Sequence, residues 1–204
     1  MFDTKKLFQF IDESQSSFHV ISNLEKELQS KGFQELKEED SFQIKPEGKY
    51  YITRNGSSII AFKMPTQIPQ GFHMTSSHSD SPSFKIKEKP EMMVENAYNK
   101  LNVERYGGMI LSTWFDRPLS VAGRLVIEEN GRITSKLVNI DQDLLLIPNV
   151  AIHMTKDGKK DAELNPQVDL IPLFGGKDSQ NKFLPMIAKQ AGVTAEDMAQ
   201  KLAK

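Results

Sequence analysis

The chain has 204 residues, of which 38% are hydrophobic and 26% are charged, and its formal net charge is −1. This balance is typical of a soluble globular protein and lacks the basic excess that nucleic-acid binding requires. No cysteine is present, so disulfides and thiolate metal sites are excluded, and any metal must be held by His, Asp or Glu. The sequence shows no secretory signal and no apolar run long enough to cross a membrane. We therefore expect a cytoplasmic protein without nucleic-acid or membrane partners.

The first part of the sequence predicts an alternation of helix and strand. Apolar residues at helical spacing predict helix over residues 3–31, with a break at 14–17 and a stop at Gly32. Between two of the strand-like runs that follow, Asn55-Gly56 predicts a hairpin, because both residues tolerate positive φ. These runs cover residues 33–36, 49–54, 57–64 and 71–76.

The sequence pattern changes near residue 94, where regularly spaced strand-like runs predict a β-rich module. Gly175-Gly176 is expected to be a flexible joint after this module, followed by a helix over 181–190 and a second helix from Thr194. The sequence reaches Lys204 in a helical pattern without a stop signal, which we interpret as truncation. The predicted strands cover 109–115, 119–127, 132–138, 144–147 and 150–154, with turns at Asn130-Gly131 and Asp157-Gly158 and a last short run at 171–173.

The segment SSHSDSP carries a candidate metal-ligand unit, because His78 and Asp80 are two residues apart. On a strand, such residues point to the same side. The carboxylate can then accept one ring N–H of His78 and leave the other ring nitrogen for a metal. The pattern is short, however, and taken alone it favours a surface or turn histidine, with Asp80 and Ser81 capping the next turn.

Three further histidines have less specific surroundings. His73 is expected on the strand face opposite His78, which favours a core or interface residue. His19 lies near the helix break and is better explained by helix capping or packing than by a pocket. His153 lies in the apolar run IPNVAIHM, where it is either a hydrogen-bonded structural histidine or a donor aimed at a substrate carbonyl or oxyanion.

The segment ERYGGMILSTWFDRPLSVAGR is dense in glycine, aromatic and charged residues. Asp116 and Arg117 could pair across a turn stiffened by Pro118, next to Trp114. Such a segment is either a structural turn with a buried aromatic or an oligomer interface. The sequence contains no serine nucleophile elbow, no phosphate-binding glycine loop and no HExxH motif.

Taken together, long stretches of the chain resemble the M18 metallopeptidases, the group of aspartyl aminopeptidase and vacuolar aminopeptidase I. The metal-ligand segment of that family is usually written HTDSP, so this chain has Ser79 in place of Thr and Ser76-Ser77 in place of Gly-Ala. The similar stretches are FHVISNLEKELQSKGFQEL, GKYYITRNGSSIIAF, SSHSDSPSFKIKEKP, LNVERYGGMILSTWFDRPLSVAGRL, IPNVAIHM and NPQVDLIPLFG.

The resemblance implies an α/β fold, namely an incomplete zinc-aminopeptidase α/β domain with an inserted β-rich, barrel-like dimerisation domain. Residues 1–93 would belong to the catalytic domain, 94–176 to the inserted domain, and 177–204 to a helical segment near the return to the catalytic domain. His78 matches the first zinc ligand and Asp80 the carboxylate that orients it. His153 matches a histidine that reaches a neighbouring subunit's active site and acts on the substrate there.

The resemblance also implies a function, which is removal of amino-terminal, often acidic, residues from peptides by an enzyme with two zinc ions. Family members form homo-oligomers, typically dodecamers built from dimers. The remaining metal ligands, the general base and the residues that select the substrate side chain are expected outside this segment. We therefore expect the chain to be inactive alone. The alternative is a non-catalytic module for assembly and dimerisation.

Overall fold

A computed structural model describes residues 3–67, 69–154 and 163–194, together with Met198. The chain divides into two compact units, Met1–Ser81 and Pro82–Lys204. Both units contain helices and β-strands, so the expected α/β class is confirmed. Within the described ranges, no helix combines the length and the apolar character that a membrane crossing would need.

The first unit contains two helices followed by a small sheet. Its three strands are ordered β1-β2-β3, with β1 parallel to β2 and β2 antiparallel to β3. Ile21 of the second helix and Tyr50 and Tyr51 of the middle strand form its buried core. The elements are α1 (Thr4–Asp12), α2 (Ser17–Ser30), β1 (Gln34–Glu35), β2 (Lys49–Arg54) and β3 (Ser58–Lys63).

Both ends of α2 carry capping hydrogen bonds, and the sequence predicts the stop at Gly32. At its start the Ser16 hydroxyl accepts a hydrogen bond from the backbone N–H of His19, which satisfies one of the free amides of the first turn. At its end Gly32 has a φ of +80°, and the N–H of Phe33 donates to the carbonyl of Leu28 at 3.0 Å. A residue without a Cβ takes up this left-handed conformation without steric cost.

Two of the predicted turns are confirmed by their backbone angles. Asn55 and Gly56 have φ values of 56° and 61°, and Asn130 and Gly131 have values of 53° and 75°. Positive φ at both central residues suits the right-handed twist of the flanking strands. The third predicted turn, at 157–158, lies outside the described residues.

Among its described residues, the second unit contains two sheets and one α-helix. A five-stranded antiparallel sheet has the order β4-β5-β10-β9-β6, and β7 and β8 form a separate hairpin. Neither sheet closes on itself among the described strands, so the expected barrel-like closure is not formed there. The elements are β4 (Ser83–Val94), β5 (Tyr98–Tyr106), β6 (Pro118–Leu119), β7 (Ala122–Glu129), β8 (Arg132–Asn139), β9 (Leu145–Leu146), β10 (Leu173–Gly176) and α3 (Phe183–Ala191).

Several strand predictions are wrong. Residues 72–78 belong to no helix or strand, although a strand was expected over 71–76. The expected strands over 109–115 and 150–154 contain 3₁₀ turns instead, at Leu111–Trp114 and Ile152–Met154. Conversely, β4 and β5 were not predicted from the sequence. Their hydrophobic residues are interleaved with charged ones, and the two strands depend on pairing with each other, so neither gives a clear local signal.

The glycine pair expected to be a joint is part of β10 instead. A Cβ added at Gly175 would lie 2.7 Å from the Ser179 hydroxyl oxygen, which is closer than real side chains approach. This position therefore requires glycine because the chain turns back closely upon it.

Helix α3 forms as predicted, in spite of Pro185. The helix begins at Phe183, so Pro185 lies in the first turn, where a backbone N–H has no partner within the helix. Gly192, with a φ of +67°, ends it. Phe183 and Ile187 of α3 pack into the main hydrophobic core with residues from β5 and β8. The second helix, expected from Thr194 onward, falls mostly on residues outside the described ranges.

A polar network attaches the start of α3 to the large sheet. The Glu91 carboxylate in β4 accepts hydrogen bonds from the Phe183 N–H at 3.0 Å and from the Asn99 side-chain amide at 3.2 Å. Asn99 is fully buried and also donates to the Ser179 carbonyl at 3.1 Å. A carboxylate at a helix N-terminus satisfies a free amide and interacts favourably with the helix dipole.

We predict that Glu91→Ala lowers the free energy of unfolding by about 1–3 kcal/mol, since it leaves the Phe183 and Asn99 donors without their acceptor. Urea unfolding followed by circular dichroism measures the change. Glu88→Ala, at an exposed position of the same strand, is the control and should change stability little. Equal effects of the two substitutions would contradict the role of Glu91.

Candidate metal-ligand pair

His78 and Asp80 contact each other in the first unit. The Nδ1 atom of His78 lies 2.7 Å from the backbone carbonyl oxygen of Asp80 and 3.3 Å from its carboxylate oxygen Oδ1. The two residues are therefore brought together as expected, but within an irregular segment and not on a strand.

The contact determines the tautomer of His78. A carbonyl oxygen can only accept a hydrogen bond, so Nδ1 must carry the proton and donate it. In a neutral ring the lone pair is then on Nε2. The His78 side chain is 81% exposed, which leaves this nitrogen accessible. An imidazole with one nitrogen held by a carbonyl or carboxylate and the other free is the arrangement that metal-binding histidines adopt.

Ser79, between His78 and Asp80, attaches this irregular segment to the small sheet through a hydrogen bond. The Ser79 hydroxyl donates to the carbonyl oxygen of Ser57 at 2.9 Å, immediately before β3 begins. The side chain of Asp80 is 43% exposed. The pair is thus held at the start of an edge strand, with the His78 ring largely exposed.

The side chains near His78 fit zinc binding only in part. His78 fits as one ligand, because neutral imidazole nitrogen is a preferred donor for this ion. In the described part of the chain, no group of three or more His, Cys, Asp or Glu side chains lies close enough together to hold a metal ion. A catalytic zinc needs about three protein ligands, so the described residues supply one part of such a site.

His153 lies in the second unit, in the 3₁₀ turn Ile152–Met154. Its side chain is exposed, which leaves both predicted roles open, the hydrogen-bonded structural histidine and the donor aimed at a substrate. The ring is accessible to another molecule, whereas a buried imidazole would need a protein partner.

The other two histidines differ from each other. His73 is exposed, so it is not a core residue, and the other predicted alternative, an interface residue, stays a prediction. His19 lies in the first turn of α2, and its Nδ1 is 2.8 Å from the Ser16 hydroxyl, which confirms the capping interpretation. Burial of the ring, and secondarily the positive charge of Lys26, lower the pKa of His19 below its ordinary value of 6.5.

The aromatic segment around Trp114 has a structural role in the described unit. The Trp114 ring packs edge-on against Phe84, with ring centroids 5.0 Å apart, within a small core around Leu111. The Asp116 carboxylate accepts a hydrogen bond from the backbone N–H of Asn149 at 2.9 Å. These contacts support the structural turn, one of the two alternatives left open by the sequence.

Comparison with known families and proteins gives a consistent result. The family described as aminopeptidase I zinc metalloprotease (M18) matches residues 10–201. A probable M18 family aminopeptidase 2 from Clostridium acetobutylicum is 43% identical over 202 residues, which cover 95% of this chain and 47% of that protein. The chain therefore spans about half the length of the curated relatives it matches.

Solved structures are similar to nearly the whole chain. The cryo-EM structure of an Ape4 and Nbr1 complex matches 94% of this chain and 41% of that chain, with a TM-score of 0.85 and 31% identity. The structure of the S. cerevisiae mApe1 dodecamer matches 95% of this chain and 45% of that chain, with a TM-score of 0.78 and 24% identity. The second likeness concerns the fold alone.

We predict that neutral His78 is protonated at Nδ1 in the metal-free chain. Ring nitrogen chemical shifts, measured by NMR at about pH 8, where imidazoles are neutral, report the tautomer directly. His73, which is exposed, serves as the internal comparison and should show the mixture typical of an unconstrained ring. A predominantly Nε2-protonated His78 would contradict the geometry.

We also predict that His19 makes stability depend on pH. Its pKa is lowered in the folded state, so its contribution is complete above the unfolded value of 6.5. It is lost progressively as the pH falls below that value and through the folded one, because the unfolded chain then binds the proton more tightly. The measurement is urea unfolding between about pH 8 and 5. His19→Gln should flatten this dependence, and an unchanged dependence in that variant would contradict the role of His19.

Proposed function

Because the chain belongs to the M18 family of zinc metallopeptidases, we propose that it forms part of an aminopeptidase that removes single amino-terminal residues from peptides. By family resemblance, acidic amino-terminal residues are the favoured substrate class and the cytoplasm is the expected location. The relatives named M18 family aminopeptidase support the reaction class. The observation that carries the proposal for this chain is the contact between His78 and Asp80.

In this proposal His78 is a zinc ligand and Asp80 is the residue that orients it. Donation of the Nδ1 proton to Asp80 directs the lone pair of Nε2 outward, which is the donor that a zinc ion takes. When bound, zinc lowers the pKa of a coordinated water towards about 7 and polarises a carbonyl group. Asp80 contributes by fixing the ring in the one tautomer and orientation that can bind the metal.

The proposed enzyme holds two zinc ions, and this chain supplies only part of their ligands. One imidazole among the described residues binds zinc weakly, since a catalytic site needs about three protein ligands. Among the described residues, no third His, Asp or Glu joins His78 and Asp80 in a cluster that could hold a metal ion. We therefore expect the polypeptide alone to be inactive.

The second unit is proposed to act between subunits. Residues 94–176 would form the inserted dimerisation domain, and residues 177–204 would lead back to the catalytic domain. The exposed ring of His153 would then reach the substrate in a neighbouring subunit and stabilise negative charge on the carbonyl oxygen. By family resemblance, the chain would belong to a homo-oligomer built from dimers, typically a dodecamer.

A second candidate function is a non-catalytic module for assembly and dimerisation. The incomplete donor set around His78 favours it, because the chain can fold a β-rich unit without completing a metal site. Light scattering discriminates the two. A stable metal-free dimer supports the module, and a metal-loaded particle with peptidase activity supports the enzyme.

We predict that the purified chain, saturated with zinc and then dialysed, retains much less than one ion per molecule. Elemental analysis measures the content, and hydrolysis of a peptide with amino-terminal aspartate measures activity, which should be absent. Stoichiometric zinc with an affinity below about 1 µM, corresponding to about −8 kcal/mol, together with peptide hydrolysis, would contradict the incomplete site.

The separate roles of the two histidines can be tested in a chimera, in which this chain replaces the matching part of the Clostridium acetobutylicum relative. We predict that His78→Ala removes zinc and activity together. His153→Ala should lower kcat by roughly 10²- to 10³-fold, the effect of losing one oxyanion donor, with zinc content unchanged. Equal loss of metal in both variants would refute the assignment.

A further inference from the structure

Asp116, in the second unit, has a backbone conformation that needs support from its surroundings. Its φ is +54°, in the left-handed region, which is sterically unfavourable for a residue with a Cβ although aspartate tolerates it better than most. Such a conformation persists where the contacts around it hold it, and it occurs often at functional sites. The side chain is exposed, so core packing does not hold Asp116 in this conformation. Its hydrogen bonds indicate what the conformation serves.

Two hydrogen bonds join Asp116 to one short segment, on either side of Pro148. The backbone N–H of Asp116 donates to the carbonyl oxygen of Ile147 at 3.0 Å. The carboxylate oxygen Oδ1 of the same residue accepts from the backbone N–H of Asn149 at 2.9 Å. One residue therefore holds a three-residue segment at two points, which restrains the direction of that segment as a single bond would not.

The segment 147–149 is the point where an anchored part of the unit gives way to an exposed loop. Before it, β9 pairs with β6, and Ile147 is fully buried in the small core around Leu111. After it, residues 150–154 make hydrogen bonds, within the described ranges, only among residues 149–154. The bond between Asn149 and Asp116 is therefore the last tertiary hydrogen bond in the described chain before the 3₁₀ turn Ile152–Met154.

His153 lies four residues beyond Asn149, in that turn. The local bond from the Met154 N–H to the Ala151 carbonyl oxygen, at 2.8 Å, shapes the turn but does not determine where it lies. Four residues of extended chain reach up to about 14 Å, so a change of direction at Asn149 would move the His153 ring by several ångströms. Misplacement of a reacting group by about 1 Å can cost roughly 10²-fold in rate.

We propose that Asp116 is a positioning residue, which holds residues 147–149 and thereby fixes the place from which His153 acts on the substrate. This inference rests on the proposed function, since it adds a residue to the site in which His153 takes part. Asp116 acts through the backbone of the segment and needs no contact with the substrate. Its left-handed conformation is retained because its N–H and its carboxylate both bond to this segment.

Two substitutions separate the carboxylate from the backbone conformation. Asp116→Gly removes the acceptor but takes up positive φ freely, so the turn can still form. Asp116→Asn keeps a side-chain oxygen that can accept from Asn149, and asparagine also tolerates the left-handed region. Glu95→Gly is the matched control, because Glu95 is likewise an exposed acidic residue with a positive φ, of +51°, in the turn between β4 and β5.

Amide hydrogen exchange, measured by NMR on the whole chain, reports the restraint without any activity. We expect Asp116→Gly to speed exchange at least about tenfold at the Asn149 amide, and to speed it at Met154 as well, because the segment opens locally more often. Asp116→Asn and Glu95→Gly should leave both amides nearly unchanged. Unchanged exchange at Asn149 in Asp116→Gly overturns the proposal.

Activity is measured in the chimera with the Clostridium acetobutylicum relative. Asp116→Gly should lower kcat by roughly tenfold, part of the loss expected for His153→Ala, with zinc content unchanged. Asp116→Asn should restore most of the activity. In a His153→Ala background, Asp116→Gly should change kcat less than about twofold, since it acts through the ring that has been removed. Additive losses, or no rescue by asparagine, overturn the positioning role.

Failure of this inference can be told apart from failure of the proposed function. If His153→Ala lowers kcat and Asp116→Gly does not, only the positioning role is refuted. If the chimera is inactive, or His153→Ala leaves its kcat unchanged, the proposed role of His153 fails. Exchange at Asn149 and Met154 in the chain then still decides whether Asp116 holds the segment.

Discussion

The hydrogen bond from the Nδ1 of His78 to the backbone carbonyl of Asp80 is the interaction on which the functional account depends. It fixes the protonation of one ring nitrogen and thereby makes the other a metal donor. It needs no strand, since the two residues are close enough in sequence to make the contact locally. A second hydrogen bond, from the Ser79 hydroxyl to the Ser57 carbonyl oxygen, holds this pair at the edge of the sheet. A histidine that is exposed but conformationally restrained is well suited to completion by ligands from another segment.

The sequence predicted those parts of the fold that depend on local chemistry. The end of α2 at Gly32, the turns at Asn55-Gly56 and Asn130-Gly131, and α3 were all predicted, because positive φ and helical periodicity act over a few residues. Strands whose pairing depends on distant segments were not, as β4 and β5 illustrate. The glycines of β10 were misread as a joint because the close approach of Ser179 is a tertiary contact without a local signal.

His78 and Asp80 are in contact although the strand expected before them does not form. The HxD pattern places its two groups in contact at a spacing of two residues, whether or not a strand forms. The strand expected over 71–76 failed, because a strand forms only when a neighbour pairs with it. Among the described strands none pairs with this segment, and its Phe72 and Met74 are exposed. Local pattern could not reveal that the segment is unpaired, since pairing is a property of the whole sheet.

The central claim is that Nε2 of His78 is a zinc-binding atom held in place by Asp80. Anomalous diffraction at the zinc absorption edge, recorded on crystals of the chimera, tests it most directly. The account predicts a zinc ion at about 2.0–2.1 Å from Nε2, the usual zinc–imidazole distance, with Nδ1 still donating to Asp80. A zinc ion bound through Nδ1, or a zinc site that does not include His78, would contradict it.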